Sequence, residues 1–555
     1  MKQPTNKTAP LRWAAAALGA AVLGVVWAYV WRVLYHLDTR ISPLVTTLGC
    51  VGFALAAEGA CALLRYAVKG FAARGAVCVA LCGLLFVFAN PPLQTPDETE
   101  HYLRTYAISM GRLDFDGARG YPEDVDYLME AFPGAWVNAH TSVGVGTDPI
   151  TGADKPYDTA GYALKQYEDG LVQSIADSFA RYLARDARDS YAPEVHEPIS
   201  FLILPFLPGA LGLAVARLLG LGALGCLYAG RIGNLLAYTA LCYATLRAAQ
   251  RARPVFLALV LLPVSLYMGA SLSYDATLLG CYYLMLALLT RDRWTTRTAA
   301  VYAVACVWVN VAKPYLNLLW ALLPLLVAAG EWRAKGRRWQ WSLGCGAGAL
   351  AATLFVEWYG SAMRANYSFG RQGGAAVNGM EQLRFVLANP LRTIAVFWGT
   401  LYESDFFLGQ TGVFGWKDLP VAFLNLTGPL VLVLAALLAA AEPQPLGRRR
   451  GVGLGVFAAV YALGAMAAMY ITYTPVGMVR IVGLQTRYFL PVFLVLALGI
   501  AALARKTLAP GLAAARAEAL ALPLCGGYAA LGAVLVFQHY FVGPVYAIPA
   551  MMPVP

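Results

Sequence analysis

The chain has 555 residues, 59% of them hydrophobic and only 13% charged, with a mean hydropathy of +0.58. An ordinary soluble domain carries roughly 25% charged residues, so a string of soluble domains is excluded: this much apolar surface needs lipid as its solvent. The net charge of +11 is not a nucleic-acid footprint either, because residues 92–198 hold 19 acidic and 8 basic residues, a net −11, leaving 34 basic and 12 acidic elsewhere, in short clusters at the ends of apolar runs.

About 20 apolar residues span a bilayer as a helix. Fourteen stretches approach that length: 13–31, 43–64, 74–90, 199–219, 228–247, 254–271, 276–290, 298–312, 315–330, 341–358, 420–441, 451–472, 488–504 and 521–541. They predict an all-α polytopic membrane protein of 12–14 transmembrane helices in the cytoplasmic (inner) membrane. The first run, behind Lys2, Lys7 and Arg12, is long enough to be a retained helix and not a cleaved signal.

Basic clusters at Arg65/Lys69/Arg74, Arg247/Arg251/Arg253, Arg291/Arg293/Arg297, Arg333 to Arg338, Arg448 to Arg450 and Arg505/Lys506/Arg516 mark the cytoplasmic side. Residues 91–198, 272–275, 313–314, 359–419 and 473–487 then lie outside. One conflict of parity results: three apolar runs flank the acidic loop between Arg74 and Arg247, where an even number is required. A broken or re-entrant segment over 199–228, which contains Pro205, Pro208 and several glycines, would resolve it.

Two polar regions are large enough to fold on the membrane surface, 91–198 and 359–419, the first with helical patches at Asp97 to Met110 and Ala163 to Asp186. All 10 cysteines lie in or beside apolar runs, and neither a disulfide framework nor a CxxC site is visible. No Walker loop, dinucleotide fingerprint, HExxH or GxSxG elbow occurs. Resident cofactors are therefore not indicated. A divalent cation is compatible with His101, His140 and His196 among many carboxylates, although their spacing matches no metal motif.

The segment Asn90-Pro-Pro-Leu-Gln-Thr-Pro-Asp-Glu-Thr-Glu-His-Tyr-Leu-Arg104 carries the most chemistry. Thr95 reads as an N-cap, Pro96 as the first helical residue and Glu98 as the third, a capping box. Asp97, His101 and Arg104 then share one helix face at the outer boundary, where a carboxylate can accept a hydroxyl proton and a cation can hold a phosphate oxygen. Against this, Glu98 as a cap, Asp97 as a first-turn acid on the helix dipole, and Arg104 paired with Glu100 are sufficient structural explanations.

The run Pro-Asp-Glu-x-x-His-x-x-Arg after an apolar helix resembles the signature of a bacterial family of polytopic membrane proteins, domain of unknown function 2142. Further similarities follow in order: Leu262-Pro263 through Ser273-Tyr274-Asp275-Ala276, Lys313-Pro314-Tyr315, Gly412-Val413-Phe414-Gly415-Trp416 with Asp418 and Pro420, and Gln485-Thr486-Arg487-Tyr488-Phe489-Leu490-Pro491. The family in turn resembles the fold-C glycosyltransferases, which use a polyprenyl-phosphate sugar as donor. That resemblance implies a base or acceptor-positioning role for Asp97, possibly shared with Glu98. It also implies a membrane core over 74–505, preceded by two helices in 1–73 and followed by a helix and tail in 506–555.

The other motif residues read as substrate contacts. Asp275 is an ionisable group at the outer end of an apolar run, with pairing to a loop cation as the structural alternative. Lys313, Arg480 and Arg487 are cations on the side where cations are scarce, and suit a lipid phosphate or, equally, headgroup anchoring. Trp358, Trp398, Tyr402 and Trp416 offer faces for a sugar but fit an interfacial belt as well. The expected partners are a polyprenyl-phosphate sugar donor, membrane lipid and an extracytoplasmic glycan or glycoconjugate acceptor, with no nucleic acid. A lipid-linked-glycan transporter or flippase, with Glu58 and Asp275 prominent, and a non-catalytic assembly scaffold are the competing readings; no repeat symmetry supports a transporter.

Overall fold

The computed structural model describes residues 9–35, 42–113, 121–132, 142–147, 154–159, 175–184, 203–313, 316–364, 378–403, 411–415, 419–420, 422–440, 448–481, 484, 488–504 and 514–541. These form an all-α polytopic membrane protein. Its strands, among the described residues, are two antiparallel pairs: β1 (Ser142–Thr147) with β2 (Asp154–Thr159), and β3 (Val413–Phe414) with β4 (Leu419–Pro420).

The chain begins with an antiparallel hairpin, α1 (Ala9–Tyr35) and α2 (Pro43–Ala67), closed by Ser42, whose Oγ accepts from the Val45 N–H as an N-cap ahead of Pro43. After a short turn, α3 (Phe71–Ala89) runs back across the membrane. Its 19 residues cover about 28 Å, close to the ~30 Å hydrocarbon core. The α2, α3 and α17 (Arg448–Thr472) helices, most of α16 (Ala422–Ala440) and most of α19 (Ala514–Phe541) are long and apolar enough to span. Shorter apolar helices complete the bundle, including α11 (Asp275–Leu289), α12 (Thr296–Ala312) and α18 (Leu490–Ala504).

Three apolar stretches fold differently from a single α-helix. The run at 254–271 divides into α9 (Arg253–Val260) and α10 (Pro263–Gly269). Pro263 supplies no N–H, and Leu262 before it takes φ −60, ψ 131, outside the helical region. The residues of this break are buried in protein, where a membrane can tolerate it. The run at 315–330 is a 3-10 segment, Leu316–Leu326, interrupted by Pro324.

The third correction concerns 199–219, whose helix does not cross the membrane. Here α7 (Leu207–Leu218) follows a 3-10 turn at Leu204–Phe206 and folds back on α8 (Ala223–Ala248) through residues 219–222. Its 12 residues cover about 18 Å, too little for a bilayer. A Cβ on Gly233 would run into the Pro208 carbonyl oxygen and one on Gly212 into the Ala229 carbonyl oxygen, so the two helices are in backbone contact. Hence α7 lies beside only the first third of α8.

Arg231, nine residues into α8, meets the end of α3, and the 18 residues from there to Ala248 cover about 27 Å. The start of α8 is tied to the polar loop, where Asp124 Oδ2 of the helix α5 (Glu123–Ala131) accepts from the Ala223 N–H at 2.7 Å.

The other polar region contributes α13 (Arg338–Arg364), α14 (Gly379–Ala388) and α15 (Pro390–Glu403). In the first loop the expected patch Ala163 to Asp186 is helical over α6 (Ile175–Ala184), and its earlier part lies outside the described residues. A large continuous core joins α3, α8 to α12 and α16 to α19.

Candidate functional site

The segment that leaves α3 is held in an unusual backbone conformation. Two non-glycine residues within it, Leu93 (φ 60) and Asp97 (φ 61), adopt the left-handed region. Such residues persist where the surroundings over-determine them. Asn90 Nδ2 donates to Thr95 Oγ1 at 2.6 Å, and Asn90 Oδ1 accepts from Tyr267 Oη at 3.1 Å.

The main clamp is Arg231, completely buried in α8. Its Nε and Nη2 donate to Glu98 at 2.9 and 2.6 Å; Nη1 donates to the carbonyls of Val87 and Asn90 at 3.1 and 2.6 Å, and Nη2 to that of Pro91 at 2.7 Å. All five guanidinium N–H groups have an acceptor.

The expected capping box therefore does not form. The helix α4 (Glu98–Ser109) begins two residues later than Pro96, with Asp97 at the N-cap position and no side-chain cap. Thr95 is engaged with Asn90. Glu98, fully buried, forms a bidentate ion pair with Arg231 and accepts the Leu272 N–H at 3.1 Å. Both of its oxygens are engaged in this pairing. Asp97 is half-buried on the same turn.

His101 follows one turn later, its N–H donating to the Asp97 carbonyl at 3.0 Å. It is buried, its ring 5.3 Å from Phe206 and 5.1 Å from Tyr274. Tyr274 leads to the next pair: Lys313 Nζ lies 5.6 Å from its ring, 4.3 Å from the ring of Tyr488 and 3.3 Å from Asp275 Oδ1. Asp275 is 1% exposed and Lys313 26%, so the carboxylate is enclosed while the ammonium reaches the surface of the site. Asp275 thus has a cationic partner in Lys313. The backbone carbonyl of Lys313 accepts from Asn317 Nδ2 at 2.7 Å, and Asn317 Oδ1 accepts from Tyr282 and Tyr461 at 2.7 and 2.9 Å. The lysine therefore projects from a braced helix end.

One residue from each of four sequence motifs, His101, Tyr274, Lys313 and Tyr488, accordingly meets its neighbours around Tyr274 and Lys313. Two predicted residues are placed elsewhere. Arg104 is fully buried, with Nη2 donating to the Leu113 carbonyl at 3.4 Å, which braces the far end of α4. Arg480 is half-buried on a strand of chain held against α14 and α15, where the Gly477 N–H donates to Gln382 and the Ile481 N–H to Thr400. Arg487, Trp416, His140 and His196 lie outside the described residues. Trp358, Trp398 and Tyr402 are 65%, 70% and 83% exposed on the outer faces of α13 and α15. Among the described residues, no group of three or more His, Cys, Asp or Glu side chains is placed to hold a metal ion.

Sequence reasoning missed Arg231, although a signal was available: an arginine inside an apolar run, four residues from its start, is costly unless it has partners. Asn234, whose Nδ2 donates to the carbonyls of Ser271 and Ser273 at 2.8 and 3.1 Å, was missed for the same reason.

The helical composition and the candidate spans define an all-α polytopic membrane protein. The chain belongs to the family described as predicted membrane protein, domain of unknown function 2142, which it matches over residues 80–496. Comparison with curated proteins and with solved structures found no match.

Proposed function

We propose that this protein is a membrane glycosyltransferase of the fold-C type, which moves a sugar from a polyprenyl-phosphate donor to a hydroxyl of an extracytoplasmic glycan or glycoconjugate in cell-envelope synthesis. The observation that carries the proposal is the meeting of His101, one turn beyond Asp97 on α4, with Tyr274, beside which the surface-reaching Lys313 lies, with the ring of Tyr488 on it. The charge partition supports an inner-membrane location with this loop outside.

In this reading the acceptor oxygen attacks the anomeric carbon and its proton passes to Asp97. The bond from that carbon to the phosphate oxygen breaks, and polyprenyl phosphate leaves with its new charge stabilised by Lys313 and Arg487. A single displacement inverts the anomeric centre. His101 and Tyr274 form the wall between the two charged ends, and Arg104 and Arg480 belong to the frame around them.

The test is sugar transfer in membranes supplied with radiolabelled polyprenyl-phosphate sugars and the native acceptor pool, wild type against Asp97→Asn. Asparagine tolerates the left-handed conformation, so the backbone is kept and only the proton acceptor is lost. Transfer is expected to fall by about 10²–10⁴-fold. Undiminished transfer by the asparagine variant removes Asp97 from the chemistry.

A further inference from the structure

The helix ends remote from the site carry a second feature. Both α11 and α12 have one end at the site, at Asp275 and Lys313, so the loop of residues 290–295 that joins them lies at the opposite end of the bundle. It meets the loop of residues 327–337 that precedes α13. The Trp294 N–H donates to the Glu331 carbonyl and the Arg333 N–H to the Trp294 carbonyl, both at 2.7 Å, and the Trp294 and Trp332 rings stack with centroids 5.5 Å apart. The Lys335 N–H adds a bond to Thr296 Oγ1 at 3.0 Å. The two loops are thereby locked into one platform.

The ends of the spanning helices set its level. Glu331 pairs with Arg450 at the start of α17 and lies 3.8 Å from Arg251, which pairs with Asp292 at 2.8 Å. Two residues on, Arg253 bonds Glu518 near the start of α19 at 2.6 Å and lies 5.8 Å from the ring of Phe71, the first residue of α3. Three candidate spans begin in this plane, which puts the platform at the headgroup level of the leaflet away from the site. Trp339, on the first turn of α13, is 52% exposed beside it, as an interfacial anchor would be.

The same ion pairs decide the charge of the platform. Residues 291–297 and 331–338 hold seven basic and two acidic residues, and both acids, Asp292 and Glu331, are engaged by arginines of other segments. Arg338 turns inward to the Val327 carbonyl. Arg293, Arg297, Arg333, Lys335 and Arg337 are exposed, and among the described residues their side chains have no hydrogen-bond or ion-pair partner. Five cations thus stand on two locked loops without a local counter-ion.

We propose that this platform is a binding site for an anionic phospholipid of the leaflet away from the site, with the phosphate held between the two loops. A guanidinium fork matches a phosphate, and a cluster of this size beside a spanning helix attracts anionic headgroups. The tryptophan lock distinguishes the platform from a linear run of basic residues, because it lets cations of both loops reach one headgroup. The inference does not depend on the transferase reading.

The experiment titrates delipidated full-length protein in neutral detergent with dioleoyl phosphatidylglycerol or dioleoyl phosphatidylcholine and counts bound lipid by native mass spectrometry. Wild type is expected to hold phosphatidylglycerol about tenfold more tightly than phosphatidylcholine. Arg293→Gln with Arg333→Gln should weaken phosphatidylglycerol about tenfold. Arg65→Gln with Lys69→Gln removes the same exposed charge between α2 and α3 and should leave it unchanged. Trp332→Ala keeps every charge but unlocks the loops, and should weaken retention as the platform double variant does. If Trp332→Ala does not fold, the two double variants decide alone. Excess inorganic phosphate should not displace the lipid; displacement would make this a site for a soluble anion and overturn the proposal. Equal binding of the two lipids by wild type, or equal losses in the two double variants, or a folded Trp332→Ala protein that binds as wild type, would overturn it too.

Discussion

Arg231 gives the sharpest stability prediction. In Arg231→Met the Glu98 carboxylate stays buried with only the Leu272 N–H as partner, the carbonyls of Val87 and Asn90 lose the Arg231 donor, and that of Pro91 keeps only the Gln94 N–H at 3.4 Å. Breaking a buried pair from one side typically costs about 3–5 kcal/mol. Each carbonyl left dry would add about 1–3 kcal/mol, and water entering from the loop side offsets part of that. Glu98→Gln should cost less, about 1.5–3 kcal/mol, because Arg231 keeps its three carbonyls. The assay is thermal unfolding in detergent at one fixed scan rate, with hydrogen exchange of residues 87–100 as the local readout. The expected order is wild type, then Glu98→Gln, then Arg231→Met, with faster exchange at the end of α3 and the start of α4. A double variant should lose less than the two single losses combined, since neither charge is then stranded. An Arg231→Met protein that melts with wild type and exchanges no faster over 87–100 would refute the clamp.

Other consequences follow from the same geometry. Lys313→Gln removes the cation 3.3 Å from the enclosed Asp275 carboxylate, so it should lower the melting temperature, and Asp275→Asn in the same chain should restore part of the loss while transfer stays low. Gly233→Ala should separate α7 from α8, because the new Cβ meets the Pro208 carbonyl; protease sensitivity in the 203–222 region reports it, and unchanged resistance would deny the close packing. Asp126 on α5 has its carboxyl raised above the usual value of 3.8, first by burial and then by Glu123 and Asp124. The fold therefore binds this proton more tightly than the unfolded chain, and the docking of α5 weakens as pH rises through the raised value. Asp126→Asn should slow hydrogen exchange of α5 at pH 7 and have no effect below about 3.8. A Ser142→Cys variant should react with an impermeant maleimide in intact cells, and labelling only after lysis would invert the topology.

The apolar runs were legible because the bilayer imposes a minimum length on each span, and α3, α16 and α17 meet it without help from their neighbours. Legibility failed where protein replaced lipid as the surroundings. The stretch 254–271 reads as one span by hydropathy, yet it is enclosed by other helices, and Pro263 can break it there without exposing backbone to lipid. Hydropathy also made α7 look like a span, although its length did not permit one. Its exposed Leu211, Val215 and Leu218 are as apolar as those of a spanning helix, and only its contacts with the start of α8 show where it packs.

The site shows the same division. Each motif could be picked out in the sequence, but neither the meeting of Tyr274 with His101 nor that of Lys313 with Tyr488 has a local signature, because the partners are 173 and 175 residues apart. The capping-box reading went wrong for this reason. Three-residue spacing is a local rule, and it was overridden by an arginine 133 residues away that gives Glu98 two charge-assisted hydrogen bonds in place of one backbone cap.

That override also accounts for the state of Asp97. Had the capping box formed, Asp97 would be an ordinary first-turn residue, its carboxylate turned to the helix dipole and to solvent. Because Arg231 pulls Glu98 into the protein and ties down the carbonyls before it, the preceding turn must reverse within a few residues, and Leu93 and Asp97 take up the reversal in left-handed conformations. The cost is of order 1–3 kcal/mol per residue. It fixes the Cα–Cβ direction of Asp97 independently of any ligand. Asp97→Val should then be far worse than Asp97→Asn for stability, since a β-branched residue resists positive φ, while both should lack transfer. Equal melting temperatures for the two variants would show that the backbone at residue 97 relaxes freely, and the argument for a preset base would fail with it.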